Sequence, residues 1–63
     1  MITLYDLLNI LDLDTELEVL DWNGDLLQDG IRGSTVWNDD LLDRRIHRVI
    51  PGIVTKILLD SED

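Results

Sequence analysis

The 63-residue chain has no cysteine, no phenylalanine, one histidine, one proline, and no lysine or arginine before position 32. Without cysteine, no disulfide can reinforce a small fold. With His47 as the only histidine, a structural zinc site lacks ligands, and neither metal nor cofactor is expected. The first six residues, Met-Ile-Thr-Leu-Tyr-Asp, contain no basic region and lead into no long apolar run. They resemble neither a signal peptide nor a membrane span, and the expected location is the cytoplasm.

Size adds a constraint. A chain this short buries only about 60% of the surface its unfolded form exposes. Small domains are reinforced by disulfides, by a metal or by self-association. The first two being excluded, a homo-oligomer is expected, with a dimer the simplest case. Disorder is excluded by an apolar content of 44%, regularly spaced.

What is present is charge, unevenly placed. Asp6, Asp12, Asp14, Glu16, Glu18, Asp21, Asp25 and Asp29 all precede Arg32, so eight carboxylates stand in the first 31 residues with no cation among them. Arg32, Arg44, Arg45, Arg48 and Lys56 follow, against Asp39, Asp40 and Asp43, and residues 60–63 form a second acidic cluster. The net charge of −9 repels nucleic acid and attracts basic proteins.

Local patterns give a small α+β domain over residues 1–59 with a frayed acidic tail at 60–63. Thr3 and Asp6 have the spacing of a capping box, and Leu4, Leu7, Leu8 and Leu11 form one helical stripe ending near Leu11 or Asp12. Glu16 to Trp22 alternates as a strand. Asn23-Gly24 suggests a two-residue type I′ turn, and Asp25 to Ile31 returns. That turn would pair Trp22 with Asp25, Leu20 with Leu27, and Glu18 with Asp29, the last setting two carboxylates opposite each other. Asn38 caps a short helix whose first turn holds Asp39 and Asp40. Arg45 to Ile50 reads either as a continuation of that helix or as a strand turning at Pro51-Gly52 into a final strand, Ile53 to Leu59. The strand reading is preferred because Ile-His-Arg-Val-Ile suits a sheet and the turn is tight. The architecture is then an N-terminal helix packed on a small antiparallel sheet of two hairpins, with a short helix between them. The helix covers one sheet face; the other keeps Trp and Leu side chains for an oligomer or partner.

Several chemistries lack their residues. Asp12, Asp14 and Glu16 alternate like the start of a calcium loop, but Leu17 and Asn23 stand where Gly and a bidentate Glu are needed. His47 lies among cations with no nucleophile in sequence reach, and neither Ser34 nor Gly30-Ile-Arg-Gly33 fits a phosphate-binding motif. No enzyme is expected. Arg44, Arg45 and Arg48 could meet an anion, but the net charge opposes nucleic acid; a salt-bridge role toward Glu18 and Asp29, within or between subunits, fits better. Trp22 reads as core or rim. Trp37, in a loop, is the better contact candidate of the two, although a core role is the first expectation for both.

Side chains on one strand face repeat at about 6.6–6.8 Å, comparable to phosphates along a nucleic-acid strand. Asp12, Asp14, Glu16, Glu18, Asp21, Asp25 and Asp29, with Trp37, are thus the candidate partner-binding residues. They would enter the basic groove of a nucleic-acid-binding protein. Against this stands plain solubility, for which small proteins need net charge.

The run from Thr3 to Asp43 resembles a loose class of short acidic proteins of phages and mobile elements of Gram-positive bacteria. The shared cadence is the capped helix Thr3-Leu-Tyr-Asp-Leu-Leu8, the strand Glu16-Leu-Glu-Val19, the turn Asn23-Gly24, the return Leu26-Leu27, and the segment Leu41-Leu-Asp-Arg44. Some small acidic phage proteins are anti-CRISPR or other anti-defence inhibitors. The resemblance implies an inhibitor of a host defence or nucleic-acid-binding protein and transfers no functional residue. The alternatives are a homo-oligomeric assembly protein, or a sponge holding a nucleotide signal between subunits near Arg44, Arg45 or Arg48.

Overall fold

The computed structural model describes residues 2–60. The chain runs α1 (Leu4–Leu8), β1 (Glu16–Leu20), β2 (Leu26–Ile31), α2 (Asp39–Leu42), β3 (Ile46–Ile50) and β4 (Thr55–Leu59). Two hairpins with a short helix between them are therefore present, and Ile46–Ile50 resolves as strand, with Arg45 bridging to Thr3 just before it. The sheet order is β2-β1-β4-β3. Within each hairpin the strands are antiparallel, but β1 and β4 pair in parallel at the centre. The sheet is thus mixed, where alternation alone suggested a wholly antiparallel one. Parallel strands are favoured where both are buried, and β1 and β4 carry the most apolar inward positions.

Those positions make the core. Leu17 and Val19 from β1 and Ile57 and Leu59 from β4 are essentially inaccessible, and Leu4, Leu7, Leu8 and Leu41 from the helices close over them. Leu11, Trp37, Leu42 and Ile46 pack around the rim. The more exposed β2 and β3 occupy the sheet edges, and each hairpin carries a register shift, at Val19/Leu20 and at Ile46/Arg48. Bulged strands resist edge-to-edge pairing.

Helix α1 begins as expected. Thr3 Oγ1 accepts from the Asp6 N–H, and Asp6 accepts from the Thr3 N–H at 3.1 Å, an Asp-closed capping box. It ends three residues early, at Leu8, and two tighter bonds, Ile10 N–H to Leu7 and Leu11 N–H to Leu8, finish the turn. No cation lies in its last turn, and Asp12 would oppose the helix dipole had it continued. A cation arrives instead from afar: Arg32 Nε donates to the Leu8 carbonyl. The first basic residue of the chain is therefore a helix cap, supported by backbone bonds from Arg32 to Thr15 and from Gly33 to Leu13.

The first hairpin turn also differs from expectation. Asp21 Oδ1 accepts from the N–H groups of Asn23 (2.8 Å) and Asp25 (3.0 Å), and the Gly24 N–H donates to the Asp21 carbonyl. Only Gly24 has positive φ, at 90°. This is a type I turn closed by a left-handed glycine, with Trp22, Asn23 and Gly24 in the loop, because Asp21 at the first position holds the turn through its side chain. Asp21 now pairs with Asp25, and Leu20 with Leu26 rather than Leu27. Leu27 is the extra residue of the bulge, which restores the expected Glu18–Asp29 pairing.

The second hairpin strand starts at Thr55, two residues later than expected, with Ile53 almost fully exposed. Asp60 belongs to the fold and not to a frayed tail: its N–H donates to the Arg45 carbonyl at 2.8 Å. The expectation for residues 61–63 lies outside the described residues. The loop before α2 is fixed by Gln28, whose side chain donates to the Val36 carbonyl and accepts from the Asn38 N–H. It is also fixed by Thr35 pressed against Gly30, where an added Cβ would lie 2.1 Å from Thr35 Oγ1.

Two substitutions test this scaffold by urea unfolding. Arg32→Ala should lower stability by about 1–2 kcal/mol, since it strips the helix end of its cap. Gly30→Ala should cost about 1–3 kcal/mol through overpacking, part of it recovered when Thr35→Ala is added.

Candidate protein-binding face

Alternation along β1 and β4 sends Leu17, Val19, Ile57 and Leu59 into the core and their neighbours to the opposite face of the sheet. Among the described residues, no element covers that second face. Register orders it into rows running from β2 to β3. One row is Asp29, Glu18, Lys56 and Ile50; the next is Leu26, Leu20, Leu58 and Arg48. Glu16 and Ile31 lie beyond the first row. Past the second, the Trp22 ring packs on His47 with centroids 4.3 Å apart, and His47 Nδ1 approaches Asp60 Oδ1 at 3.3 Å. That pair is ionic only when His47 is protonated.

The apolar part of the face is well exposed. Leu26 is 55% accessible and Trp22 51%, with Leu27, Ile31 and Ile50 close to 40% each. Large exposed apolar patches mark interaction surfaces. Glu16, Glu18 and Asp29 flank the band on the β1–β2 side; Lys56, Arg48 and His47 stand on the β4–β3 side. The face therefore carries its carboxylates on the β1–β2 side and its cations on the β4–β3 side, with an apolar row of Leu26, Leu20 and Leu58 beside them.

The sequence-expected residues divide accordingly. Glu16, Glu18 and Asp29 come together on the open face. Asp12 and Asp14 lie in the exposed loop before β1, and Asp25 at the far, turn end of the hairpin. Asp21 is engaged by its own turn. Trp37 stands apart from them, half-buried against the core with its indole N–H donating to the Arg32 carbonyl at 3.1 Å. Trp37 thus takes the core role expected first for both tryptophans and not the contact role, whereas Trp22, next to the turn, is exposed.

The arginines are not intramolecular partners of the acidic wall. Among the described residues no ion pair joins Arg44, Arg45 or Arg48 to Glu18 or Asp29. Arg44 donates to the Asp60 carbonyl at 2.8 Å, Arg45 pairs through its backbone with Thr3, and Arg48 stands opposite Leu58 on the edge strand. The cation beside Glu18 is Lys56, which only the parallel β1–β4 register could reveal. No group of three or more His, Asp or Glu among the described residues is placed to hold a metal ion, and no helix there is long and apolar enough to cross a membrane. Comparisons with family models, curated proteins and solved structures found no match.

Asp29 faces Glu18 directly, with no further strand beyond β2 to supply a counter-charge. Asp29→Asn should therefore raise stability by about 0.2–1 kcal/mol at low salt. In urea titrations at increasing sodium chloride, the gain should shrink as screening removes the repulsion.

Proposed function

We propose that the chain is a non-enzymatic binding protein whose acidic β1–β2 hairpin engages a basic surface of another protein. The reading is supported by one observation above others: Glu16, Glu18 and Asp29 stand together on an uncovered sheet face, bordered by exposed Leu26, Leu27 and Ile31. A purely solubilising set of carboxylates has no reason to border an exposed apolar band. Charge brings a cationic partner to the face, and the apolar band gives the complex a lifetime.

Basic grooves that hold nucleic acid are a natural target for such a wall, since Glu16 and Glu18 repeat along one strand face at about 6.6–6.8 Å. Together with the resemblance to small acidic phage proteins, this favours an inhibitor of a host defence or nucleic-acid-binding protein, of the anti-CRISPR type. The wall is short, three carboxylates on the sheet with Asp12, Asp14 and Asp25 at its two ends. It would block part of a groove rather than imitate a long duplex.

Capture of a basic nucleic-acid-binding nuclease from a bacterial host by the immobilised chain is the direct test. Binding should fall at least about tenfold between low and high salt, and again when Glu16→Gln, Glu18→Gln and Asp29→Asn are combined. Binding indifferent to salt and to these changes would remove the electrostatic mechanism.

A further inference from the structure

We propose that the open sheet face is the interface of a homodimer, in which a two-fold axis parallel to the strands lays the acidic β1–β2 hairpin of each subunit over the basic β4–β3 hairpin of the other. The inference concerns the chain alone, and it holds or fails whatever foreign partner the acidic hairpin engages.

The order of side chains on the face selects the axis. A two-fold axis lying between the two sheets and running along the strands exchanges left and right but keeps each row at its level. It therefore sets β2 over the partner's β3 and β1 over the partner's β4. Leu20 then meets Leu58 of the second copy, twice by symmetry, and Glu18 meets Lys56, also twice. On the outer strands Asp29 lies over Ile50 of the second copy and Leu26 over its Arg48, so that Asp29 and Arg48 stand one row apart across the interface. An axis running across the strands would instead put β2 on β2 and β1 on β1, matching Glu18 and Asp29 with the same acidic hairpin or with leucines. Isologous interfaces must be self-complementary, and only the first axis makes this face so. Sheets packed in this manner keep their strands within about 30° of each other at about 10 Å separation.

The chemistry of the face suits a second copy. Leu20 and Leu58 sit at the centre of one row, and Glu18 and Lys56, opposite in sign, at the centre of the next; among the described residues the only ion pair on this face is that of His47 with Asp60. Four strands about 4.8 Å apart and rows spanning about 15 Å give a footprint of roughly 300 Å² per subunit. Over both subunits that is roughly 600 Å², below the roughly 1,200–2,000 Å² of stable specific interfaces, so the dimer is a weak, transient one that should form and dissociate in the micromolar range or above.

Sedimentation of the unmodified chain should pass from monomer to dimer between roughly 1 μM and 1 mM. Asp29→Lys and Arg48→Glu sit on opposite outer strands, and each alone should weaken self-association at least about tenfold by placing like charges across the axis. An equimolar mixture of the two variants should recover the dimer, because each then supplies the charge the other lacks. A geometric readout uses the absence of native cysteine. A short bismaleimide should join Asp29→Cys to Arg48→Cys subunits in a mixture, and should not join Asp29→Cys subunits to one another. The proposal is overturned by a chain that stays monomeric across the whole range, by charge variants that self-associate like the unmodified protein, or by cross-linking of Asp29→Cys with itself.

Discussion

The parallel pairing of β1 with β4 is the constraint on which the rest of this molecule depends. It joins two hairpins that would each be marginal alone, and it collects Leu17, Val19, Ile57 and Leu59 into one buried layer. It also fixes the electrostatics. Because β1 brings the acidic hairpin and β4 the basic one, their pairing places the two sides of the charge distribution next to each other on one surface. Two short helices and the loop through Trp37 are enough to close one face of a four-stranded sheet. Nothing remains among the described residues to close the other.

The carboxylates, nearly uniform in the sequence, separate in the structure into those that hold the fold and those that face outward. Asp6 closes the helix cap, Asp21 builds the hairpin turn, and Asp60 joins β4 to the start of β3 through its N–H while its side chain meets His47. Among the described residues, Glu16, Glu18 and Asp29 make no comparable local bonds. The acidic bias of the first half is therefore partly structural chemistry, since short polar side chains at turns and caps satisfy backbone donors, and partly surface. A count of charges cannot divide the two; the register can.

Much of the fold was legible in the chain. Thr3 and Asp6 announced the cap, the spacing of Leu4, Leu7 and Leu8 the helix, and alternation with turn residues the two hairpins. What escaped was non-local. Asn23-Gly24 signals a tight turn, but Asp21 two residues earlier decides its type, and the change of register is absorbed by a bulge at Leu27 that no local pattern marks. Arg32 as the cap of α1 depends on a contact across 24 residues. Lys56 beside Glu18 depends on which strands become neighbours, and the parallel seam is invisible to periodicity. Trp37 looked like a loop residue because it is one. It packs because Gln28 and Thr35 pin that loop to β2.

A self-complementary face on a strongly anionic chain raises an apparent contradiction, because two subunits of −9 each should repel. The two effects act at different ranges. Net-charge repulsion extends over the whole molecule and is screened beyond about 10 Å at 0.1 M salt. Contacts between a carboxylate and a cation a few ångströms apart, beside a leucine row that excludes water, are screened far less. Added salt therefore removes more of the repulsion than of the attraction in a pairing of like subunits. In a complex of this chain with a basic protein, the long-range term is itself attractive, and the same salt weakens it. A cationic partner is then favoured over a second copy at low ionic strength and loses that advantage as ionic strength rises, so the acidic hairpin can be masked by its own kind until a more basic surface displaces it.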